Sequence, residues 1–160
     1  GNIQGHLGLN DAIKYSSPVQ IPGTTWKDVY VNTYYSTYAT KTDGTLWVWG
    51  RGDDDMLLGL GDRTSRSSPT QIPGTTWDGS RMRLPSNGEG MMAMKTDNTL
   101  WTWGSNQFGE TGHNIQGPFP AGYAGISSPT QLPGSWSLDN VDAQGMGGGR
   151  TVVLKKATLN

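Results

Sequence analysis

The chain has 160 residues with 12 basic and 13 acidic side chains, a formal net charge of −1; it is long enough to bury one core and has no Lys/Arg block able to follow a phosphate backbone. It has no cysteine, which excludes disulfide frameworks, thiolate nucleophiles and cysteine metal sites. No apolar run approaches the roughly 20 residues a bilayer-spanning helix needs, while 24 Gly, 9 Pro and 7 Trp against 16% charged residues point to short strands joined by tight turns.

Three blocks recur along the chain in a fixed order. The first, Gly5-His6-Leu7-Gly8-Leu9-Asn10-Asp11, returns as Leu58-Gly59-Leu60-Gly61-Asp62 and, more loosely, as Gly109-Glu110-Thr111-Gly112-His113-Asn114. The second, Ser17-Pro18-Val19-Gln20-Ile21-Pro22-Gly23-Thr24-Thr25-Trp26, returns at Ser68–Trp77 and again at Ser128–Trp136. Its prolines, four apart, forbid a helix interior and a central strand alike, so the segment reads as an edge strand or a connector. The third, Ala39-Thr40-Lys41-Thr42-Asp43-Gly44-Thr45-Leu46-Trp47-Val48-Trp49-Gly50, matches Ala93–Gly104, and a last copy keeps only Val153-Leu154-Lys155.

The third block predicts a hairpin, roughly Tyr38–Lys41 against Thr45–Trp49, turning on two residues at Asp43-Gly44 and at Asp97-Asn98, where Gly or Asn supplies positive φ cheaply. On the outgoing strand Trp47 and Trp49 lie two apart, as do Trp101 and Trp103, so each pair shares one face, expected to be buried beside Leu46 and Leu100. No window shows sustained helical spacing. The expected class is therefore all-β: a single domain over 1–160 with repeats at about 5–55, 56–108 and 109–160.

Taken together, Gly-x-Leu-Gly, Ser-Pro-x-x-Ile-Pro-Gly and Asp-Gly-Thr-Leu-Trp-x-Trp-Gly, repeated at a little over 50 residues, resemble the repeats of the RCC1 family across nearly the whole chain. The resemblance implies a β-propeller of four-stranded antiparallel blades, with the alternating Trp packed between neighbours. The family's usual His-Ser pair ahead of the hairpin is replaced here by Ser36-Thr37, Gly90-Met91 and Arg150-Thr151. Three repeats are fewer than a closed ring uses, and repeat stacks must be capped or closed. The chain thus reads as a fragment of a longer repeat protein or one member of an oligomer, with its own copies or neighbouring repeats as protein partners.

No residue combination points to catalysis, and no cofactor is expected. Arg51-Gly52-Asp53 and Asp53-Asp54-Asp55 read as solvated turns, the latter lacking the alternating spacing that wraps oxygens round calcium. His6 and His113 stand near corresponding places without a second metal ligand nearby and read as turn residues. No serine sits in an activating Gly-x-Ser-x-Gly setting. Two features suggest a contact surface: the cluster Tyr30, Tyr34, Tyr35 and Tyr38, of which core packing at alternate positions is the alternative for about half, and the insertion between His113 and Gly125, which carries Phe119 and Tyr123 and reads equally as a tolerated loop. Tyrosines give broad amphipathic contact at low entropic cost, to protein or to a surface glycan.

The expected function is a non-enzymatic structural or adhesive module, without nucleic-acid binding or membrane insertion. The low charge and near-identical blocks are similar to RCC1-like proteins of bacteria and their viruses, and that resemblance implies a part of a virion fibre, a capsid decoration or a cell-surface appendage. The alternative is a regulatory interaction domain that docks a GTPase or another signalling partner.

Overall fold

The computed structural model describes residues 1–32, 35–52, 58–84, 90–106, 109–114, 125–137 and 154–155. Among them all helix- or strand-type structure is β. The first sheet contains β1 (Trp26–Val31), β2 (Ser36–Lys41), β3 (Leu46–Gly50) and β4 (Arg66–Ile72), in that spatial order and antiparallel throughout. The second repeats it with β5 (Trp77–Arg83), β6 (Gly90–Lys95), β7 (Leu100–Ser105) and β8 (Gly125–Leu132). A third unit starts in the same way. β9 (Trp136–Ser137) pairs with β10 (Leu154–Lys155), setting Trp136 opposite Lys155 as Trp26 stands opposite Lys41 and Trp77 opposite Lys95.

The described residues form a series of four-stranded antiparallel blades, and the blade frame is offset from the sequence repeat. Each sheet draws its first three strands from one repeat and its fourth from the Ser-Pro-x-Gln block of the next. That block holds Pro69 in β4 and Pro129 in β8, and both strands lie at a sheet edge, where the lost N–H breaks no ladder. In the first repeat the same block, Ser17–Ile21, belongs to no strand.

The hairpin turns differ from the two-residue form expected. Lys41 N–H donates to Thr45 O at 3.0 Å and Gly44 N–H donates to Lys41 O at 3.0 Å, enclosing a three-residue loop whose last member, Gly44, has φ 77°. The second sheet repeats this with Lys95, Thr99 and Asn98 at φ 66°. The reason is twist: a type I turn followed by one left-handed residue joins antiparallel strands without splaying them.

The main core lies between the sheets. Tyr38, Leu46, Val48 and Ile72 of the first meet Trp77, Met82, Met91, Ala93 and Trp103 of the second, with Leu58 from the connecting loop. A smaller cluster of Met92, Met94, Leu100 and Leu132 lies beyond the second sheet under Trp136. Loops lock successive units: Asn10 N–H donates to Ser67 O, and Gly61 N–H to Ser127 O, each at 2.8 Å, so each Gly-x-Leu-Gly loop ties down the fourth strand of the following sheet.

Candidate interaction surfaces

The Asp-x-Thr-Leu-Trp segment is a hydrogen-bond relay that fixes one tryptophan per blade. The Asp43 carboxylate accepts from the Thr45 amide at 3.0 Å and from its hydroxyl at 2.6 Å, and Trp47 Nε1 donates to that hydroxyl oxygen at 2.8 Å. Asp97, Thr99 and Trp101 repeat the relay at 2.9, 2.6 and 2.9 Å. The hydroxyl and amide of Thr45, and those of Thr99, hold the Asp43 and Asp97 carboxyls below their ordinary value. Lysine adds a cation: Lys41 Nζ lies 4.7 Å from the Trp26 ring centroid and 3.9 Å from that of Trp47, and Lys95 stands at 4.7 and 4.4 Å from Trp77 and Trp101. Trp47 and Trp101 are half-buried, whereas Trp49, Trp103, Leu46 and Leu100 are buried.

Thr99→Val is expected to raise the Asp97 pKa toward its ordinary value and to cost about 1 kcal/mol of stability through the lost hydroxyl bonds. The folded carboxyl titrates below the unfolded one, so its contribution is complete above the ordinary carboxylate pKa and fades as pH falls through the folded value. The variant should therefore lose less on acidification. Carboxylate NMR titration and urea unfolding from pH 6 down to about pH 3 check both expectations.

The tyrosine cluster divides. Tyr38 is buried and its ring meets Trp103 at 6.1 Å, and the Tyr30 hydroxyl donates to Gly79 O on β5. These two are interblade residues, a correction to the contact surface expected of them: alternation along β1 and β2 turns both onto the face that the second sheet covers. Burial pushes the phenol pKa of each upward. Tyr35 is 58% exposed, with its ring stacked on His6 at 4.9 Å. Tyr34, Phe119, Tyr123 and Asp53 to Asp55 lie outside the described residues.

The histidines sit on corresponding loops with different partners. Burial lowers the pKa of both; His113 Nε2 is 3.0 Å from the Thr102 hydroxyl. Among the described residues no group of three His, Cys, Asp or Glu is placed to hold a metal ion.

The opposite face of the first sheet borders a groove of about 600 Å³, walled on one side by Val29, Val31, Thr37 and Trp49 and on the other by Tyr15, Pro18, Val19 and Ile21, with Leu7, Leu9 and His6 also lining it. Val31 is 70% exposed, Val29 58% and Leu7 38%. Sequence reading missed this face. The signal was in the alternation Lys27, Val29, Val31, which sets one side of β1 apart, although nothing local in the sequence says whether another sheet covers it.

No family model matches the chain. It is 30% identical over 110 residues to Alsin of Rattus norvegicus, spanning 64% of this chain and 6% of that protein. With the ultraviolet-B receptor UVR8 of Arabidopsis thaliana it shares 32% identity over 116 residues, 70% of this chain and 26% of the receptor. The X-linked retinitis pigmentosa GTPase regulator homolog of Caenorhabditis elegans is 31% identical over 74 residues, 44% of this chain and 5% of that protein. The chain therefore spans about a quarter or less of each of these relatives. The crystal structure of human WBSCR16 superposes with a TM-score of 0.63 at 19% identity, over 84% of this chain and 34% of that one, which shows a common fold.

Proposed function

Since this chain belongs to the RCC1-repeat family, we propose that it is a regulatory protein-interaction module, holding a GTPase or another signalling protein on the loops of a rigid blade stack without carrying out chemistry itself. The observation that carries the reading is the likeness to proteins named as an ultraviolet-B receptor and a GTPase regulator. Nothing in these likenesses favours the virion or adhesive role, so the regulatory alternative has the better support. The frame suits the task. Binding residues are disproportionately found on loops held by rigid elements, and the exposed loop from Gly61 to Thr64 is pinned by the Gly61 bond to Ser127 and by Thr64 N–H donating to Asp62 at 2.8 Å.

The expected result is a saturable complex with one member of a panel of purified small GTPases and signalling domains, measured by sedimentation velocity. Arg63→Glu should weaken it about tenfold or more, with circular dichroism reporting whether the variant stays folded. Filaments or glycan binding, with no complex across the panel, would favour the structural or adhesive role and overturn the proposal.

A further inference from the structure

The last Gly-x-Leu-Gly loop replaces an apolar contact with a titratable one. In the loop that joins the two sheets Leu58 is buried and Leu60 half-buried, and both pack into the core that holds Val48 of β3. Gly112 corresponds to Gly59, so Thr111 and His113 stand where Leu58 and Leu60 do. Leu100 and Thr102 face β8 in the register in which Leu46 and Val48 face β4, so Thr102 takes the place of Val48. The three apolar residues are thus exchanged together for hydrogen-bonding ones. Thr102 and Thr111 remain buried, at 2% and 3% exposed, and His113 is half-buried.

Counting protons fixes the direction of the resulting relay. The Thr102 hydroxyl donates its one proton to Thr111 O at 2.7 Å, so toward His113 Nε2, 3.0 Å away, it can only accept. Nε2 therefore carries the proton of the neutral ring, and a second proton has to enter at Nδ1. The strands that carry Thr102 and Thr130, β7 and β8, hold no ionisable side chain, and the loop itself contributes one, Glu110. The Thr130 carbonyl favours the charged ring, but burial outweighs it and holds the His113 pKa below its ordinary value. Thr111 is also the point at which the loop is tied down: its amide and hydroxyl donate to Asn106 Oδ1 at 3.0 and 2.7 Å, and Gly112 N–H donates to Gly109 O at 3.1 Å.

We propose that His113 is a proton-sensitive latch on the Gly109–Asn114 loop: neutral, it closes the loop onto β7 through Thr102, and on protonation it leaves the sheet for water and lets the loop open. The sign follows from linkage. An opened loop presents an ordinary histidine, which takes up its proton at higher pH than the closed one. Closure is therefore complete above the ordinary histidine pKa and weakens as pH falls from there through the closed-loop value, the opened population rising by at most about tenfold per pH unit. At the matching positions of the preceding loop Leu58 and Leu60 have nothing to titrate, so the response is confined to one joint of the stack. The latch belongs to the frame and needs no partner, so it and the regulatory reading fail separately.

The chain has two histidines, whose ring protons titrate as separate NMR signals. His113 should titrate below the ordinary value. Between about pH 7.5 and about pH 5 the amide protection factors of Thr111 and Gly112, corrected for the intrinsic pH dependence of exchange, should fall about threefold or more, while that of Gly61 in the matching loop stays constant. His113→Leu restores the Leu60 pattern, and His113→Gln keeps a donor toward Thr102 without a titrating proton; each should hold the Thr111 and Gly112 factors constant over the same range. Glu110→Gln should respond as the parent chain does. Constant protection in the parent chain, an equal fall at Gly61, or a His113 that titrates at or above the ordinary value overturns the proposal. So does a response that survives in either His113 variant or disappears in Glu110→Gln.

Discussion

Trp103→Ala is expected to cost about 3–5 kcal/mol of unfolding free energy, and Trp101→Ala, two residues away on the same face of the same strand, only about 1–2 kcal/mol. Trp103 is fully buried, meets Tyr38 across the blade interface and Trp77 within its own sheet, each at 6.1 Å, and belongs to the core shared by the two sheets. Its removal leaves a cavity walled by both sheets, neither of which can collapse into it without breaking register. Trp101 is half-buried near the turn, held by Thr99 and covered by Lys95, so water can fill the space it leaves. A domain of this size has about 5–15 kcal/mol in total, which puts the Trp103 variant near the edge of folding and leaves the Trp101 variant folded. Urea unfolding followed by circular dichroism reads the difference as a shift in midpoint. Equal losses would mean that the interblade core is not where the stability lies.

That contrast marks how far the sequence could be read. Alternate spacing placed each Trp pair on one face, and the structure has both members against the first-strand ring, Trp47 and Trp49 on Trp26, Trp101 and Trp103 on Trp77. What spacing could not say is that the first member of each pair is tied to a threonine at the sheet's end, while Trp103 is sunk between the sheets and Trp49 borders the groove. Depth depends on the neighbouring blade, which lies more than 50 residues away in sequence. The same limit explains the tyrosines. Clustering in sequence left contact surface and alternate core packing both open, and strand alternation sends Tyr30 and Tyr38 inward and leaves Tyr35, at φ 69° just before β2, facing out. The hairpins were legible because their signal is local: apolar runs flanking Asp-Gly or Asp-Asn. The offset between blade and repeat was not, because a Ser-Pro-x-Gln strand carries no mark of which hairpin it will join.

Gly59→Ala is expected to destabilise by about 2–5 kcal/mol, the sum of left-handed backbone strain and overpacking. Gly59 has φ 68°, and an added Cβ would stand 2.7 Å from Trp103 Nε1 and 2.9 Å from its Cδ1, closer than carbon tolerates. The Trp103 ring is fully buried and cannot retreat. Gly8 is the same position one repeat earlier, with φ 70° and a Cβ distance of 2.8 Å to Trp49 Nε1, and Trp49 too is buried, its Nε1 donating to His6 O at 3.1 Å. Gly8→Ala should therefore cost a similar amount. Gly112, with φ 74°, approaches only the flexible end of Leu132, at 3.3 Å, so Gly112→Ala should show little beyond the backbone strain, about 1–2 kcal/mol. The three glycines differ mainly in what stands over them, so the gap between Gly112 and the other two in unfolding free energy isolates the packing contribution. Near-equal losses for Gly59→Ala and Gly112→Ala would show that backbone strain alone sets the cost and that the tryptophan seat contributes nothing.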